Sequence, residues 1–191
     1  MAEKIHTAGK HVTWRAYFAT LMSRFRRSDD GVTAIEFGIV AAPFFAVLLA
    51  TFETGLIFVT MQVLDLGVLE SARLIRTGQV KHISKDAFKT TLCANLPVLI
   101  DCTKVSIDVR SFTNFAATAA PPPSAIDDDG NFDDSAFTFV DTPPSTIVVV
   151  RVFYIWNTIF PNFGLGAGAL ANGDRLLVST STFRNEPFPW P

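Results

Sequence analysis

The sequence has few of the side chains that most enzymes use for catalysis. Its 191 residues include three histidines and two cysteines. His6 and His11 lie near the N-terminus, and His82 follows the long apolar region without a serine or cysteine motif beside it. The glycine-rich stretch FGLGAGAL lacks the lysine and hydroxyl residue that complete a phosphate-binding loop. We therefore expect no enzymatic activity, no small-molecule substrate, no cofactor and no metal.

Concentrated positive charge is also lacking, because 16 Lys and Arg stand against 18 Asp and Glu. This balance argues against nucleic acid as a partner. The charges are nevertheless unevenly placed. Residues 1–31 carry six basic and three acidic side chains, whereas residues 32–191 carry ten basic and fifteen acidic ones. A basic N-terminal segment, an apolar run and an acidic remainder are typical of a single-pass membrane protein whose N-terminus is cytoplasmic.

The apolar run has no charged residue from Phe37 to Phe52 and continues past Glu53 to Met61. About 20 apolar residues cross a bilayer, so we predict a transmembrane helix over residues 32–61. A helix packed with one face on the core of a small soluble domain would show a polar stripe, which this run lacks. A cleaved secretory signal would turn polar and reach a small-x-small site, whereas this sequence stays apolar.

The same helix is predicted to continue over residues 62–78, with Gly78 as its C-cap. Polar side chains recur there every three or four residues, which is typical of an amphipathic helix. They are Gln62, Asp65, Glu70, Arg73 and Arg76.

Residues 79–191 are predicted to form an extracytoplasmic α+β domain. Ser84 is a plausible N-cap for a short helix that ends before Pro97. The stretches KVSIDVRSF, TIVVVRVFYIW and DRLLVSTSTF predict a half-exposed strand, a central strand and a third strand. We expect a small antiparallel sheet packed on the second half of the long helix, with a flexible loop at about residues 113–136 and a short hairpin at AFTFV.

That loop contains the acidic stretch Asp127–Asp134, which invites comparison with a calcium loop. If Gly130 is placed at position six of an EF-hand, Ala125 and Ala136 fall on the ligand positions one and twelve. Two obligatory ligands are then missing. A solvated acidic loop is the better interpretation, and weak calcium binding of another kind stays open.

The two cysteines, Cys93 and Cys102, lie beyond the apolar run and are separated by a segment that contains Pro97. A turn at the proline would bring the sulfur atoms together. The charge order places both residues outside the cytoplasm, where disulfides persist. We predict a disulfide, and the alternative is two separate buried thiols.

The start of the helix carries a glycine and a carboxylate at a defined spacing. Gly31 is followed five residues later by Glu36, and the spacing resembles the cleavage site of type IV prepilins. Cleavage there would create an amine on Val32 that a neighbouring subunit's Glu36 could meet, so that each charge compensates the other in the membrane. The alternative is a carboxylate lying at the interface beside the arginines of the N-terminal segment, Arg24, Arg26 and Arg27.

Further motifs follow in order. GVTAIEFGIVAAPFF contains the pair Glu36–Phe37 and Pro43, FETG contains Glu53, and LESARLIRTG closes the helix. Together with FRNEPF near the C-terminus, these segments resemble the TadE-like family, the pseudopilins of tight-adherence (Tad, type IVb) pilus systems. The ordered match covers about fifty residues, from Gly31 to Gly78.

The resemblance implies that Gly31–Val32 is a prepilin peptidase site, that residues 1–31 are a cleaved cytoplasmic leader, and that Glu36 is the assembly carboxylate. Phe37, Pro43 and Glu53 would serve packing in the same assembly. The implied partners are the prepilin peptidase, other pseudopilins, the major pilin, platform proteins of the Tad machine, and lipid. The implied location is the bacterial inner membrane, with the C-terminal domain in the periplasm.

Three alternatives stay open. Glu53 is either interfacial or, if the span reaches Met61, in need of a partner from another subunit. The true start is either Met1 or Met22, and in the former case HVTWRAYFATLMSRF could form an amphipathic helix on the inner membrane face. The alternative function is a membrane-anchored extracytoplasmic binding module whose helix is only a tether.

Overall fold

A computed structural model describes residues 32–79, 84–96, 100–159 and 170–189. The predicted leader with Gly31, as well as His82, Pro97 and the glycine-rich stretch, lies outside the described residues. The chain divides into two compact units, Met1–Leu49 and Ala50–Pro191. The described elements are α1 (Val32–Arg76), α2 (Lys85–Ala94), β1 (Val105–Phe112), β2 (Ile147–Trp156), β3 (Arg175–Arg184) and the 3-10 helices Cys102–Lys104 and Phe115–Ala119.

In the first unit, the described residues belong entirely to α1. The helix continues through Pro43, and its apolar side chains are exposed: Phe37 is 71% exposed and Phe44 59%. No residue from Val32 to Phe52 is buried. Such a surface is unfavourable in water, because each exposed apolar side chain costs free energy in proportion to its area, and it is expected to contact lipid or another protein.

In the second unit, the remaining part of α1 buries one stripe. Its buried positions begin at Glu53 and are spaced by three, four or seven residues in most steps, as one face of an α-helix requires: Glu53, Thr60, Leu64, Gly67, Val68, Ser71, Ala72 and Ile75. The polar residues predicted for this segment lie outside the stripe. This arrangement is the one expected of an amphipathic helix.

The end of α1 is a Schellman motif. Gly78 has a φ of +67°, a conformation that glycine adopts without steric cost. The Gly78 amide donates to the carbonyl of Ile75 at 3.0 Å, and the Gln79 amide donates to that of Leu74 at 3.1 Å. This is the hydrogen-bond pattern of a glycine C-cap, which the sequence predicted at this residue.

The sheet has the order β1-β2-β3, and both pairings are antiparallel. Ile107 pairs with Val152, and Val152 pairs with Ser179. Alternate residues of β1 and β2 pack in one cluster with side chains of α1 and α2: Val105, Ile107, Val109, Val148, Val150, Val152, Leu64, Val68, Phe88 and Leu92. The protein is therefore α+β, with the sheet against the second part of the long helix, as predicted.

The segment between β1 and β2 covers the second face and the outer edge of the sheet. The ring of Phe137 stacks on that of Phe153 with centroids 4.5 Å apart. At the edge, the Val109 amide donates to Thr138 at 2.7 Å and the Val140 amide donates to the Val109 carbonyl at 3.2 Å. The expected hairpin at AFTFV is wrong, because this stretch instead satisfies the free edge of β1 through a parallel bridge. The mobility of residues 113–136 stays a prediction.

Candidate functional site

The first candidate site is the exposed apolar surface of α1. The helix is long and apolar enough to cross a membrane, and the apolar window has a mean hydropathy of 2.1 with none of its residues buried. Length and composition are thus consistent with one membrane anchor.

The predicted assembly residues Glu36, Phe37 and Pro43 all lie on this surface. Each is exposed. Within the described residues, the carboxylate of Glu36 makes no ion pair or hydrogen bond, and a carboxylate without a partner is costly in lipid. Pro43 offers no backbone N–H. These three residues are available to a neighbouring molecule, whereas Gly31 lies outside the described part of the chain.

Glu53 has a different environment from the other assembly candidates. It is 7% exposed, and its Oε1 accepts a hydrogen bond from the Ile159 amide at 2.8 Å. Neither interpretation from the sequence included a partner from the same chain. No sequence signal could have identified this pair, because the donor is a backbone amide that lies 106 residues away.

The C-terminal segment FRNEPF contacts the end of α1. The Glu186 amide donates to the Arg76 carbonyl at 3.0 Å, and the two side chains form an ion pair at 3.7 Å. A Cβ on Gly78 would lie 2.4 Å from the ring of Phe188. Two of the segments that carry the family resemblance therefore contact each other. We call the residues Arg76, Gly78, Glu186 and Phe188 the helix-end cluster.

Cys93 and Cys102 form a disulfide with Cα atoms 6.1 Å apart. It joins the last turn of α2 to the 3-10 helix before β1, and the prediction is confirmed. Asp101 caps that 3-10 helix by accepting from the Thr103 amide at 3.0 Å and from its hydroxyl at 2.7 Å. The Thr103 side-chain and backbone hydrogen bonds hold the pKa of Asp101 below its ordinary value.

The acidic stretch uses its carboxylates to hold its own backbone. Asp127 Oδ1 accepts from the Asn131 amide at 2.7 Å, and Asp133 Oδ1 accepts from the Ser135 amide at 2.8 Å. The backbone and side-chain hydrogen bonds from Ser135 lower the pKa of Asp133. In the described residues there is no cluster of three or more His, Cys, Asp or Glu able to hold a metal.

The second face of the sheet contains a buried charged cluster that sequence reasoning missed. Asp108 is fully buried. Its Oδ2 accepts from Arg151 Nη2 at 2.7 Å and Nε at 3.1 Å. Its Oδ1 accepts from Arg110 Nε at 3.1 Å and from the Thr138 amide at 2.8 Å. The prediction that β1 is half exposed is wrong here, because the segment that follows β1 folds back over Asp108. Arg151, a lone charge within a strand predicted to be covered on both faces, was the available signal for a buried partner.

The fold thus defines a class of protein that has one candidate membrane helix and a small α+β domain. A family model described as TadE-like protein matches residues 31–73. This segment is similar to the TadE-like family, as its motifs predicted, and the match covers less than half of the chain. No curated protein and no solved structure matches the chain. The matched residues include Glu36, Pro43 and Glu53, and they end before the sheet.

Proposed function

We propose that the protein is a pseudopilin-like or minor-pilin-like component of a Tad pilus assembly and secretion apparatus. In this proposal a prepilin peptidase cuts between Gly31 and Val32, and α1 anchors the mature chain in the bacterial inner membrane with its domain in the periplasm. The observation that carries the proposal is an exposed carboxylate, Glu36, in the TadE-like segment of an apolar helix. We assign no catalytic role to the chain.

A charge–charge contact between subunits explains why such a position would be useful. Cleavage would give Val32 a free ammonium group, and Glu36 of a neighbouring, staggered subunit could pair with it. Either charge alone is unfavourable in lipid, so pairing favours assembly over isolated subunits. Phe37 and Pro43, exposed on the same helix, would then pack against other pilins, with platform proteins holding the growing assembly.

The hydrogen bond between Glu53 and Ile159 supports a short membrane span. A carboxylate buried against the domain's own backbone is not available to lipid. Val32 to Phe52 at about 1.5 Å per residue measures about 30 Å, which is the thickness of a hydrocarbon core. We therefore propose a span that ends near Glu53, shorter than the predicted range 32–61.

Mass spectrometry of the mature N-terminus tests the cleavage. In cells that hold the matching prepilin peptidase, the wild-type chain should begin at Val32, and Gly31→Ala should remain unprocessed. Gly38→Ala is the control, since a Cβ there meets nothing within 4 Å and the cut lies elsewhere. Normal processing of Gly31→Ala would refute the assigned cleavage site. An intact N-terminus in the wild type would refute the proposal and favour a tethered binding module.

Crosslinking in membranes tests the role of Glu36. We expect Glu36→Ala to insert normally but to lose crosslinks to the major pilin or to other pseudopilins. Glu70→Ala removes an exposed carboxylate from the same helix outside the apolar segment, and it should retain the crosslinks. If both variants retained the crosslinks of the wild type, an assembly role for Glu36 would be excluded.

A further inference from the structure

The second face of the sheet carries a cavity of about 320 Å³. One wall is the proline segment Pro121–Pro123, and the floor is formed by side chains of all three strands. The residues that matter for its chemistry are Arg110, Phe112, Arg151, Thr180 and Thr182. A volume of this order is within the range of small-molecule and side-chain binding sites, about 300–1,000 Å³.

The cavity has one positive charge more than its carboxylate neutralises. Asp108 is the acidic partner of both Arg110 and Arg151. The Arg151 side chain is 8% exposed and the Arg110 side chain 32%. A partly buried cation without a matching anion is unfavourable, because the cavity solvates it less well than water does.

Both guanidinium groups keep donors for a further ligand. Arg151 uses Nε and Nη2 on Asp108. Arg110 uses Nε on Asp108 and Nη2 on the Ala136 carbonyl. The hydrogen bonds among the described residues thus leave Nη1 of each arginine unused, and each Nη1 carries two N–H groups. Thr180 and Thr182 add hydroxyl groups to the same cavity.

We infer that this cavity binds a carboxylate-bearing group. Guanidinium donors match the two oxygens of a carboxylate, and the threonine hydroxyls can donate to the same anion. Phe112 and the prolines offer an apolar wall for the carbon part that carries it. The carboxylate could belong to a small acid or to a partner protein, as an acidic side chain or a chain terminus. The site is independent of leader cleavage, so it stands or falls separately from the proposed function.

Calorimetric titration of the full-length protein in detergent micelles tests the inference. The probe is 3-phenylpropionate, and the uncharged control is 3-phenylpropanamide, which has the same carbon skeleton. We expect the acid to bind at least tenfold more tightly than the amide, because hydrogen bonds to charged groups contribute more than neutral ones. Equal binding of the two, or no binding of the acid, would overturn the inference.

Two arginine variants show whether the acid occupies this cavity. Arg110→Gln removes the surplus charge but retains the Asp108–Arg151 pair, so the fold should persist, and acid binding should weaken at least tenfold. Arg184→Gln removes an arginine from the same face outside the cavity lining and should bind as the wild type does. Unchanged binding by Arg110→Gln, with folding verified by circular dichroism, would overturn the site.

Peptides distinguish the two sources of the carboxylate. A short peptide ending in phenylalanine with a free carboxylate is compared with the same peptide as an amide. Tighter binding of the free peptide than of 3-phenylpropionate assigns the site to a partner protein. Binding of the small acid without binding of the peptide assigns it to a small ligand. Either result supports the carboxylate site, whereas measurable binding of the free peptide and its amide with equal affinity contradicts it.

Discussion

The carboxylate of Glu53 and the backbone amide of Ile159 lie 2.8 Å apart. This contact joins the first buried turn of α1 to the segment that follows β2. It gives a charged residue, in a stretch that is otherwise apolar, a hydrogen-bonded position within its own domain. Glu36 is exposed on the same helix, so the two acids in or beside the apolar stretch have different environments.

We expect Glu53→Ala to destabilise the domain by about 1–3 kcal/mol, because the Ile159 amide loses its acceptor while partly buried. Glu53→Gln is the matched control, since its carbonyl oxygen can still accept, and it should lose less. Denaturant unfolding in detergent measures the stability, and hydrogen exchange measures protection of the Ile159 amide. Unchanged protection in Glu53→Ala would show that the contact does not order this segment.

Substitution of Gly78, the glycine that ends α1, should destabilise the helix-end cluster. In Gly78→Ala, the new Cβ would lie 2.4 Å from the Phe188 ring, at a φ of +67°. The left-handed conformation alone costs about 1–2 kcal/mol for a residue with a side chain, and displacement of the ring adds to this. Thermal unfolding should show a lower midpoint. Gly55→Ala is the control, because nothing lies within 4 Å of its Cβ; a similar loss there would contradict the argument.

Asp108→Asn should be the most destabilising single change on the second face of the sheet. It leaves two arginines without their buried anion, and removal of one partner from such a group costs about 3–5 kcal/mol. Arg110→Gln should cost much less, since the Asp108–Arg151 pair remains and Arg110 is partly exposed. Denaturant unfolding of the two variants gives the comparison. Similar losses of unfolding free energy in the two variants would mean that the Asp108–Arg151 pair is not the main stabilising contact of Asp108.

The capping carboxylate beside the disulfide should contribute to acid stability. The pKa of Asp101 is below its ordinary value because Thr103 donates two hydrogen bonds to the ionised form. The contribution to stability is therefore fully present above the unfolded-state pKa of about 3.9, and it is lost as the pH falls through the lower folded-state pKa. Asp101→Asn should remove this part of the acid dependence of the unfolding midpoint. Thr103→Val, which keeps one donor, should remove less of it; an unchanged acid profile in Asp101→Asn would contradict the assignment.

Much of α1 and the central strand could be predicted from local pattern. Sixteen uncharged residues in a row and the spacing of polar side chains after them defined the two parts of the helix, and Gly78 marked its end. These features depend on neighbours along the chain, which is why they can be inferred without a fold. The disulfide was predictable because the two cysteines are separated by nine positions and the charge order predicts that both lie outside the cytoplasm.

The sequence by itself thus determined a long apolar helix with an amphipathic continuation, a small sheet, and the similarity of residues 31–73 to the TadE-like family. The tertiary structure decided which carboxylates have partners. Glu53 meets a backbone amide, and Asp108 meets two arginines, one of them from another strand. These contacts depend on strand register and on segments that fold back over the sheet. Electrostatic partners far apart in the chain leave no periodic trace in the sequence, because the free energy of a buried charge depends on what surrounds it in space.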